Sequence, residues 1–500
     1  MCGKPERLKG IKMNAYETLE TRWREIAVID GISGLIGWDM RVNAPANAAA
    51  TQSEQMAYLA KRRFDLMTAP DWADVFAALD KRQDLTDFQR ANTREAKREW
   101  IDATSSSPEN VEAFSKAVSA AQNAWSDARK NNDFKSFKEH LKILLQFQTG
   151  WAKAKSERTG LSVYDALLDG FQPGMTSARI DGLFAELKAF LPTLIARAKS
   201  PAVVFGGDYS EEKQKEFVRL IMKRMGFDFS SGRLDWSDAA FCTSCGFGDE
   251  RIVARFKAGN PLAAVAAVMH ETGHALYELG LDRERAGQPA GRNRGMAVHE
   301  SMSILMERPV MKSDAFLRFL SAEMTDFFGQ SEELSFDFLK KAACSVTPSL
   351  IRIDADEVTY PMHIIVRYEI EKALFDGTLQ IDDIPAAWNE KMRAYLGVVP
   401  ETDAEGCLQD IHWACGSFGY FPDYAVGAIA AAQFFAAAKK DDPAVESQIG
   451  RGDFSGLNAW LDANVRRKGS VPDFEELIET ATGEPLSAAA YRRDLETRYG

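Results

Sequence analysis

The chain has 500 residues, of which 45% are apolar, and a formal net charge of −12. The apolar share is enough for a large buried core, whereas the acidic balance argues against nucleic acid or an anionic membrane as the main partner, because both reward basic patches. The six cysteines are too sparse for a disulfide framework. The segment MCGKPERLKG lacks the apolar core of a secretory signal, and no apolar run reaches the ~18 residues of a membrane span. We therefore expect a cytoplasmic protein without a membrane segment.

Apolar residues recur at three- and four-residue spacing through most of the chain, which predicts helices. The pattern is clear in SFKEHLKILLQFQTGWAKAKSE and in DGLFAELKAFLPTLIARA, and SSPENVEAF begins with residues typical of a helix N-terminus. We predict an all-α, mainly helical protein that forms a single domain. A helical part at about 13–225 would form one wall of a groove, and the remainder, at about 226–500, would carry the functional site.

One region differs from this helical pattern. Residues 226–256 are rich in glycine, serine, aspartate and aromatic residues, and the segments RLDW and ERIVARF within them predict short strands. We expect a small β patch there. Cys242 and Cys245 form a C-x-x-C pair in this region, but a structural zinc site would need a second pair, and a thioredoxin-like site would need a βαβ context. Neither context is found.

The next element is a buried helix that contains the stretch VMHETGHAL. Asn260 and Pro261 are typical N-cap and first-turn residues, the following segment is apolar almost all round, and Gly280 favours termination. The stretch has the order H-E-x-x-H. Two histidines four residues apart stack on one face of a helix.

The H-E-x-x-H residues have the chemistry of a zinc hydrolase. The imidazoles of His270 and His274 can share one tetrahedral zinc ion. Glu271 lies about 100° round the helix from His270, where it can act as general base on a zinc-bound water without being a ligand. The alternative is coincidence, but these three polar side chains in an apolar helix would carry a burial cost without a metal.

A catalytic zinc site needs a third protein ligand. The segment GMAVHESMSILMERPV predicts a helix that ends near Pro309, and it carries His299 and Glu300. Either residue type completes a known catalytic zinc shell, and the spacing alone does not choose between them.

Four further segments resemble those of a known family. They are GWDMRVNAP near residue 38, HES at 299–301, IRIDADEVTYPMHIIVRYEIE at 351–371 and GCLQDIHWACGSFGYFPDYAVG at 406–427. With the H-E-x-x-H stretch they resemble the carboxypeptidase Taq family of zinc metallocarboxypeptidases. The resemblance implies a helical peptidase with a deep groove over the zinc site, Glu300 as the third ligand, release of single C-terminal residues with broad specificity, and a homodimer. Zn²⁺ is the expected ion, and Co²⁺ and Mn²⁺ also suit such a ligand set.

The sequence departs from the family pattern just before the zinc helix. The family's H-P-F is Ala239-Ala240-Phe241 here, and its D-x-R-x-T segment has Val253 in place of threonine. In related zinc peptidases such a strand often lines the substrate groove, so we expect the changes to affect specificity or efficiency.

A carboxypeptidase must bind a free C-terminal carboxylate, for which an arginine fork is well suited. Arg352 and Arg251 are the candidates, and we favour Arg352, which we place on a helix with Asp356 and Glu357 nearby in sequence. The alternative is that Arg352 only pairs with Asp356 one turn later.

The developing oxyanion needs hydrogen-bond donors besides the metal. His412 and Tyr420, on a glycine-rich turn, are predicted for this role, with packed aromatics as the alternative. Tyr424 and His299 are predicted to contact substrate. We expect Pro361 to kink the helix that carries His363, which is either substrate-facing, a support for a ligand, or a core residue. Carboxylates behind the zinc histidines could come from three residues of the same segment: Asp354, Asp356 and Glu357.

The sequence therefore favours a zinc metallocarboxypeptidase that acts on peptides with a free C-terminus. Two alternatives remain. One is an oligopeptidase or dipeptidyl carboxypeptidase on a related helical scaffold, which would differ in product size. The other is a non-catalytic zinc-binding scaffold, against which the intact Glu271 argues.

Overall fold

The structure is a computed structural model that describes residues 13–237, 241–256 and 259–500. The described chain is mainly helical with one small sheet, which confirms the predicted fold class. Its helices are α1 Ala15–Val42, α2 Ala49–Met67, α3 Trp72–Leu79, α4 Asp87–Thr104, α5 Pro108–Asn131, α6 Phe134–Thr159, α7 Val163–Phe171, α8 Ser177–Ala198, α9 Glu211–Arg224, α10 Pro261–Gly280, α11 Met296–Leu305, α12 Asp314–Phe328, α13 Phe336–Ala343, α14 Tyr360–Phe375, α15 Ile384–Leu396, α16 Pro422–Asp441, α17 Ala444–Ile449, α18 Ser455–Asn464, α19 Phe474–Thr482 and α20 Ala489–Tyr499.

The apolar side chains form two clusters. A small one joins α1, α3 and α4 around Trp23, Trp72 and Phe76. A much larger one extends from α5 to the C-terminal helix α20. A buried ion pair connects α4 to the loop before α11, with Arg294 Nη1 2.9 Å from Glu95 Oε1. Burial raises the pKa of Glu95, but the Arg294 guanidinium outweighs it and holds that pKa at about 2.

The sheet has three strands, β1 Gly232–Trp236, β2 Phe241–Ser244 and β3 Glu250–Ala254, in the order β1-β3-β2. β1 runs parallel to β3, and β2 runs antiparallel to it. β1 and β3 lie where the strand-like segments predicted them, whereas β2, which contains Cys242, was not predicted. Cys242 and Cys245 are free thiols.

Helices α10, α11 and α16 pack unusually closely, and glycines make this possible. A Cβ on Gly273 of α10 would lie 2.5 Å from the carbonyl oxygen of Met302 on α11. A Cβ on Gly427 of α16 would lie 2.9 Å from the Cβ of Glu300. Because these contacts are with main chain or with the base of a side chain, the glycines set the spacing of the three helices.

The boundaries of α10 confirm the sequence prediction. The Asn260 side chain accepts a hydrogen bond from the backbone N–H of Ala263, Pro261 occupies the first turn, and the helix ends at Gly280. α11 ends at Leu305 and is followed directly by a π-helical turn, Met306–Val310, which contains Pro309.

Two predictions for the segment before α14 are wrong. Arg352 lies in a single 3₁₀ turn, Arg352–Asp354, and not in an α-helix. Pro361 lies in the first turn of α14 and so begins the helix instead of kinking it, because proline lacks only an N–H that the first turn leaves unpaired anyway. Among the described residues, no helix is long and apolar enough to cross a membrane.

Candidate metal centre and active site

Three side chains from α10 and α11 converge on one point. Single donor atoms of His270, His274 and Glu300 all lie within 4.8 Å of one another. His270 Nε2 lies 3.9 Å from Glu300 Oε2. The geometry therefore groups Glu300, and not His299, with the two histidines, which is the ligand set that the resemblance implied.

Glu307 supports His270 from behind. Its Oε2 lies 2.9 Å from His270 Nδ1, which leaves Nε2 for the centre of the cluster. Burial raises the pKa of Glu307, but the Arg308 guanidinium and His270 outweigh it and hold that pKa at about 2. Glu307 is therefore a carboxylate that fixes the ring orientation of His270, as ligand histidines commonly require.

The three carboxylates predicted for this support lie elsewhere. Asp356 accepts hydrogen bonds from the backbone N–H groups of Val358 and Thr359, so it stabilises the turn before α14. Glu357 accepts from Arg498 and Tyr499 in a separate buried cluster. Asp354 belongs to the short 3₁₀ turn.

His274 is held by the ring of His299. The two rings are stacked, with centroids 4.4 Å apart, and His299 Nε2 lies 3.0 Å from Glu278 Oε1. Burial, with the neighbouring His299 and His270, holds the pKa of His274 well below its ordinary value. A neutral imidazole with a free lone pair is the form that binds a metal ion.

Glu271 lies beside the cluster on the same helix. Burial, opposed in part by His270 and reinforced by the Glu300 carboxylate, raises its pKa to about 7. A carboxyl group with a pKa near neutrality can both accept and return a proton.

An aromatic group from the turn before α16 and from the first turn of α16 lies near Glu300 of the cluster. His412 Nε2 lies 3.2 Å from the Tyr424 hydroxyl, and the Tyr420 and Tyr424 rings are 5.2 Å apart. Burial, with the cations Arg352 and Arg367, lowers the pKa of His412 to about 4. Burial, followed by the nearby Glu300 carboxylate, raises the pKa of Tyr420. All these groups are therefore neutral near pH 7 and able to donate hydrogen bonds.

Arg352 is held in this group by a carboxylate that the sequence interpretation overlooked. Its Nε donates to Asp410 Oδ1 at 2.9 Å, and its Nη1 donates to the Tyr360 hydroxyl at 2.7 Å. The other Asp410 oxygen accepts from Arg367. The predicted alternative, a pair with Asp356, is absent from the contacts of the described residues. The guanidinium has five N–H donors, so it keeps donors beyond those that Asp410 and Tyr360 use.

Arg251 lies apart from the aromatic group, on β3. Its guanidinium pairs with Asp249, with Nη2 2.9 Å from Oδ2, and lies 4.4 Å from the centre of the Trp38 ring. Val253, two residues on, is fully buried. Ala239 and Ala240 fall outside the described residues.

Some polar groups near the site have no partner among the described residues. Both ring nitrogens of His363, the Nη1 of Arg308 and the Oδ2 of Asp423 are in this state. His363 is fully buried on α14, so it does not face an open groove.

The sequence gives only weak indications of the supporting residues that were not predicted. Asp410 stands inside the segment LQDIHW that carried the family resemblance. Glu307 stands seven residues after Glu300, which on a helix is two turns along the same face. Nothing local marks Tyr360 as the partner of Arg352.

The donor set suits a divalent metal ion. Two imidazoles and one carboxylate are a known catalytic zinc shell, and the neighbouring acidic side chains Glu271 and Glu307 favour positive charge there, as the pKa of His270 shows, which is raised to about 9 although burial opposes the shift. A mainly helical protein with this centre, and a buried carboxyl group beside it, has the architecture of a metal-dependent hydrolase. The carboxypeptidase Taq (M32) metallopeptidase family matches residues 18–499. The chain belongs to this family and is a metallocarboxypeptidase.

Known relatives agree with this assignment over nearly their whole length. The chain is 35% identical over 500 residues to thermostable carboxypeptidase 1 of Thermus thermophilus, covering 97% of this chain and 98% of the relative. It is 34% identical over 476 residues to carboxypeptidase 1 of Bacillus subtilis, covering 93% and 94%. The structure of Trypanosoma cruzi metallocarboxypeptidase 1 aligns with a TM-score of 0.94 at 34% identity, covering 97% of this chain and 99% of that one.

Proposed function

We propose that this metallocarboxypeptidase is zinc-dependent, acts in the cytoplasm and releases single C-terminal residues from peptides, with His270, His274 and Glu300 as metal ligands. The convergence of these three side chains beside Glu271 is the observation that carries the proposal. When bound, zinc would polarise the scissile carbonyl and lower the pKa of a water molecule. Co²⁺ and Mn²⁺ remain alternatives for the native ion.

Glu271 is the proposed general base. A carboxylate takes a proton from the attacking water and then returns it to the leaving amine. A raised pKa, about 7, suits both steps, because a carboxylate of ordinary acidity would return the proton poorly.

His412 and Tyr420 are the proposed donors to the developing oxyanion. Preorganised donors of this kind act most strongly in a buried site. The support is that both side chains are neutral, and that Tyr420 lies close enough to Glu300 for the Glu300 charge to add to burial in raising its pKa.

Arg352 is the proposed anchor of the substrate's C-terminal carboxylate. Asp410 and Tyr360 fix its orientation, so little side-chain entropy is lost when a carboxylate binds the remaining donors. Tyr424 and His299 are proposed to contact the substrate beside it. Arg251 is the weaker candidate, because it lies on β3 against Trp38, whereas Arg352 contacts the Tyr424 ring beside the proposed oxyanion donors.

We also propose that the protein is a homodimer. The support is a row of exposed apolar side chains on α1 and α2, formed by Val28, Ile32, Leu35 and Tyr58, since contiguous exposed apolar surface marks association sites. Light scattering would give the mass in solution, and Ile32→Asp is expected to shift it to that of a monomer.

Two matched peptides test the proposed activity. They share one sequence of about ten residues, and one ends in a free carboxylate whereas the other ends in an amide. Mass spectrometry should detect stepwise loss of single residues from the free peptide only. Dipeptide steps would indicate a dipeptidyl carboxypeptidase, cleavage of both peptides at internal bonds would indicate an oligopeptidase, and no cleavage by metal-loaded protein would indicate a non-catalytic scaffold.

A further inference from the structure

A cavity of about 420 Å³ lies between helices α2, α4, α5, α6 and α7 and the turn that precedes α16. Its lining is dominated by aromatic and aliphatic side chains, among them Phe114, Phe147, Trp151, Leu167, Phe171 and Phe418. None of the metal ligands and none of the residues assigned to catalysis above lines it. A mostly apolar cavity of this size is typical of a binding site for an apolar group.

The main polar side chains at the edge of the cavity are already paired. Gln148 donates to the backbone carbonyl of Gly416 at 2.8 Å. Asp102 Oδ1 lies 2.8 Å from the Lys155 ammonium, and Arg63 Nε donates to Asp30 at 2.7 Å. An entering group would therefore meet mainly apolar surface, because the charges of Arg63 and Asp102 are satisfied from within the protein.

The turn that precedes α16, which carries His412 and Tyr420, forms one side of the cavity through Gly416 and Phe418. Gly416 has a φ of +71°, and a Cβ there would lie 2.6 Å from the Phe114 ring, so glycine lets the turn lie directly against α5. On α7, the Phe171 ring packs edge-on against Tyr420 with centroids 5.1 Å apart. The cavity and the proposed oxyanion donor thus share one wall.

A row of contacting side chains connects the cavity to Arg352, the proposed anchor of the substrate's C-terminus. The Arg352 guanidinium lies 5.1 Å from the Tyr424 ring, Tyr424 lies 5.2 Å from Tyr420, and Tyr420 lies 5.1 Å from Phe171. Arg352 is at one end of this row and the cavity is at the other. A peptide anchored at Arg352 by its C-terminal carboxylate and passing Tyr420 would therefore continue toward the cavity.

We propose that this cavity is a subsite for an aromatic or branched aliphatic side chain upstream of the scissile bond. The inference rests on the proposed function, because it uses Arg352 as the C-terminal anchor. An extended peptide rises about 3.3 Å per residue, which places the preferred side chain about three to five residues before the C-terminus. The enzyme would then select peptides by an internal residue as well as by the residue released.

Peptides of about nine residues that differ at one position test this inference. Phenylalanine and aspartate are exchanged in turn at each position upstream of the scissile bond, and kcat/KM for release of the same C-terminal residue is measured. Burial of an apolar side chain predicts a phenylalanine-to-aspartate ratio of about 10–100 at one position and a ratio near one at positions further upstream.

Two variants on α6 assign the effect to the cavity. Phe147→Ala removes a lining ring and should lower the ratio at the preferred position to a few-fold. Ile143→Ala removes an exposed side chain one turn earlier on the same helix, and should keep the wild-type ratio.

The outcomes separate this inference from the proposed function. Equal kcat/KM at every upstream position, with the C-terminal residue still released, would overturn the subsite alone. A ratio that persists unchanged in Phe147→Ala would also overturn it, because another surface would then select the side chain. Failure to release any C-terminal residue, including that of an acetylated dipeptide too short to reach the cavity, would instead overturn the proposed function.

Discussion

At the scale of single residues, the proposed metal centre depends on the side chains that orient the proposed ligands as much as on those ligands. His270 is oriented by Glu307, His274 by the stacked ring of His299, and Arg352 by Asp410. Each support places a donor in one orientation before a metal ion or a substrate arrives. Such preorganisation lowers the free-energy cost of binding.

Glu307→Gln should weaken metal binding by about 10–100-fold, the usual effect of losing a carboxylate behind a ligand histidine. The amide is isosteric but neutral, so the loss would report the charge and hydrogen bond to His270 Nδ1 and not a change of packing. Competition with a coloured chelator measures the dissociation constant directly. Glu332→Gln, at an exposed carboxylate, is the matched control and should bind metal as the wild type does. An unchanged affinity in Glu307→Gln would contradict the assigned role.

At the scale of elements, the proposed centre depends on two helices that come close enough for their side chains to share one ion. α10 supplies the histidines and α11 supplies the glutamate, and Gly273 allows their backbones to touch. A local rule predicts that His270 and His274 share a face, because four residues are about one helical turn. No local rule predicts the distance between the two helices.

Gly273→Ala should push α10 and α11 apart. A Cβ 2.5 Å from the Met302 carbonyl oxygen is an overlap with rigid backbone, so we expect a loss of about 1–3 kcal/mol in the free energy of unfolding together with weaker metal binding. Gly182 of α8 has open space around its Cβ position, and Gly182→Ala should instead stabilise the protein by about 0.5–1 kcal/mol. Denaturant titration of both variants measures the contrast, and two equal effects would refute the close-packing argument.

At this scale there is a physical reason why some features could be predicted from the sequence and others could not. The cap at Asn260, the first-turn Pro261 and the stop at Gly280 act within one helix, so they could be predicted. Pro361 satisfies two local rules, a kink and a helix start, and only the irregular chain before it decides between them. Asp410 and Glu307 reach their partners across 58 and 37 positions of sequence, and such contacts depend on tertiary packing that local patterns do not encode.

At the scale of the whole molecule, a buried carboxyl group connects the turn before α16 to the helices around it. Glu371 of α14 accepts hydrogen bonds from Trp413 Nε1 at 2.7 Å, the Gly419 backbone at 2.8 Å and the Tyr164 hydroxyl at 3.0 Å. These three partners belong to the turn before α16 and to α7. The position of His412 and Tyr420 therefore depends on one fully buried side chain.

The same group predicts a pH dependence of stability. Burial raises the pKa of Glu371 from 4.5 to about 7, although its three hydrogen bonds oppose the shift. Because the folded-state pKa is the higher one, the contribution of Glu371 to stability is complete below about pH 4.5 and is lost as the pH rises through about 7. Glu371→Gln is neutral at every pH, so its free energy of unfolding relative to the wild type should rise by about 3 kcal/mol between about pH 4.5 and about pH 8. Urea titrations at several pH values measure this difference, and a difference independent of pH would show that Glu371 is not perturbed as described.

The central claim is that Glu271 acts as the base over a metal ion held by His270, His274 and Glu300. The most direct measurement is a mass-spectrometric time course on an unblocked peptide, comparing metal-loaded wild type, a chelated sample and metal-loaded Glu271→Gln. We predict a ladder of single C-terminal losses in the wild type, no ladder after chelation, and a rate about 10²–10⁴-fold lower in Glu271→Gln, with about one metal ion still bound per chain. Cleavage by Glu271→Gln at the wild-type rate would contradict the account.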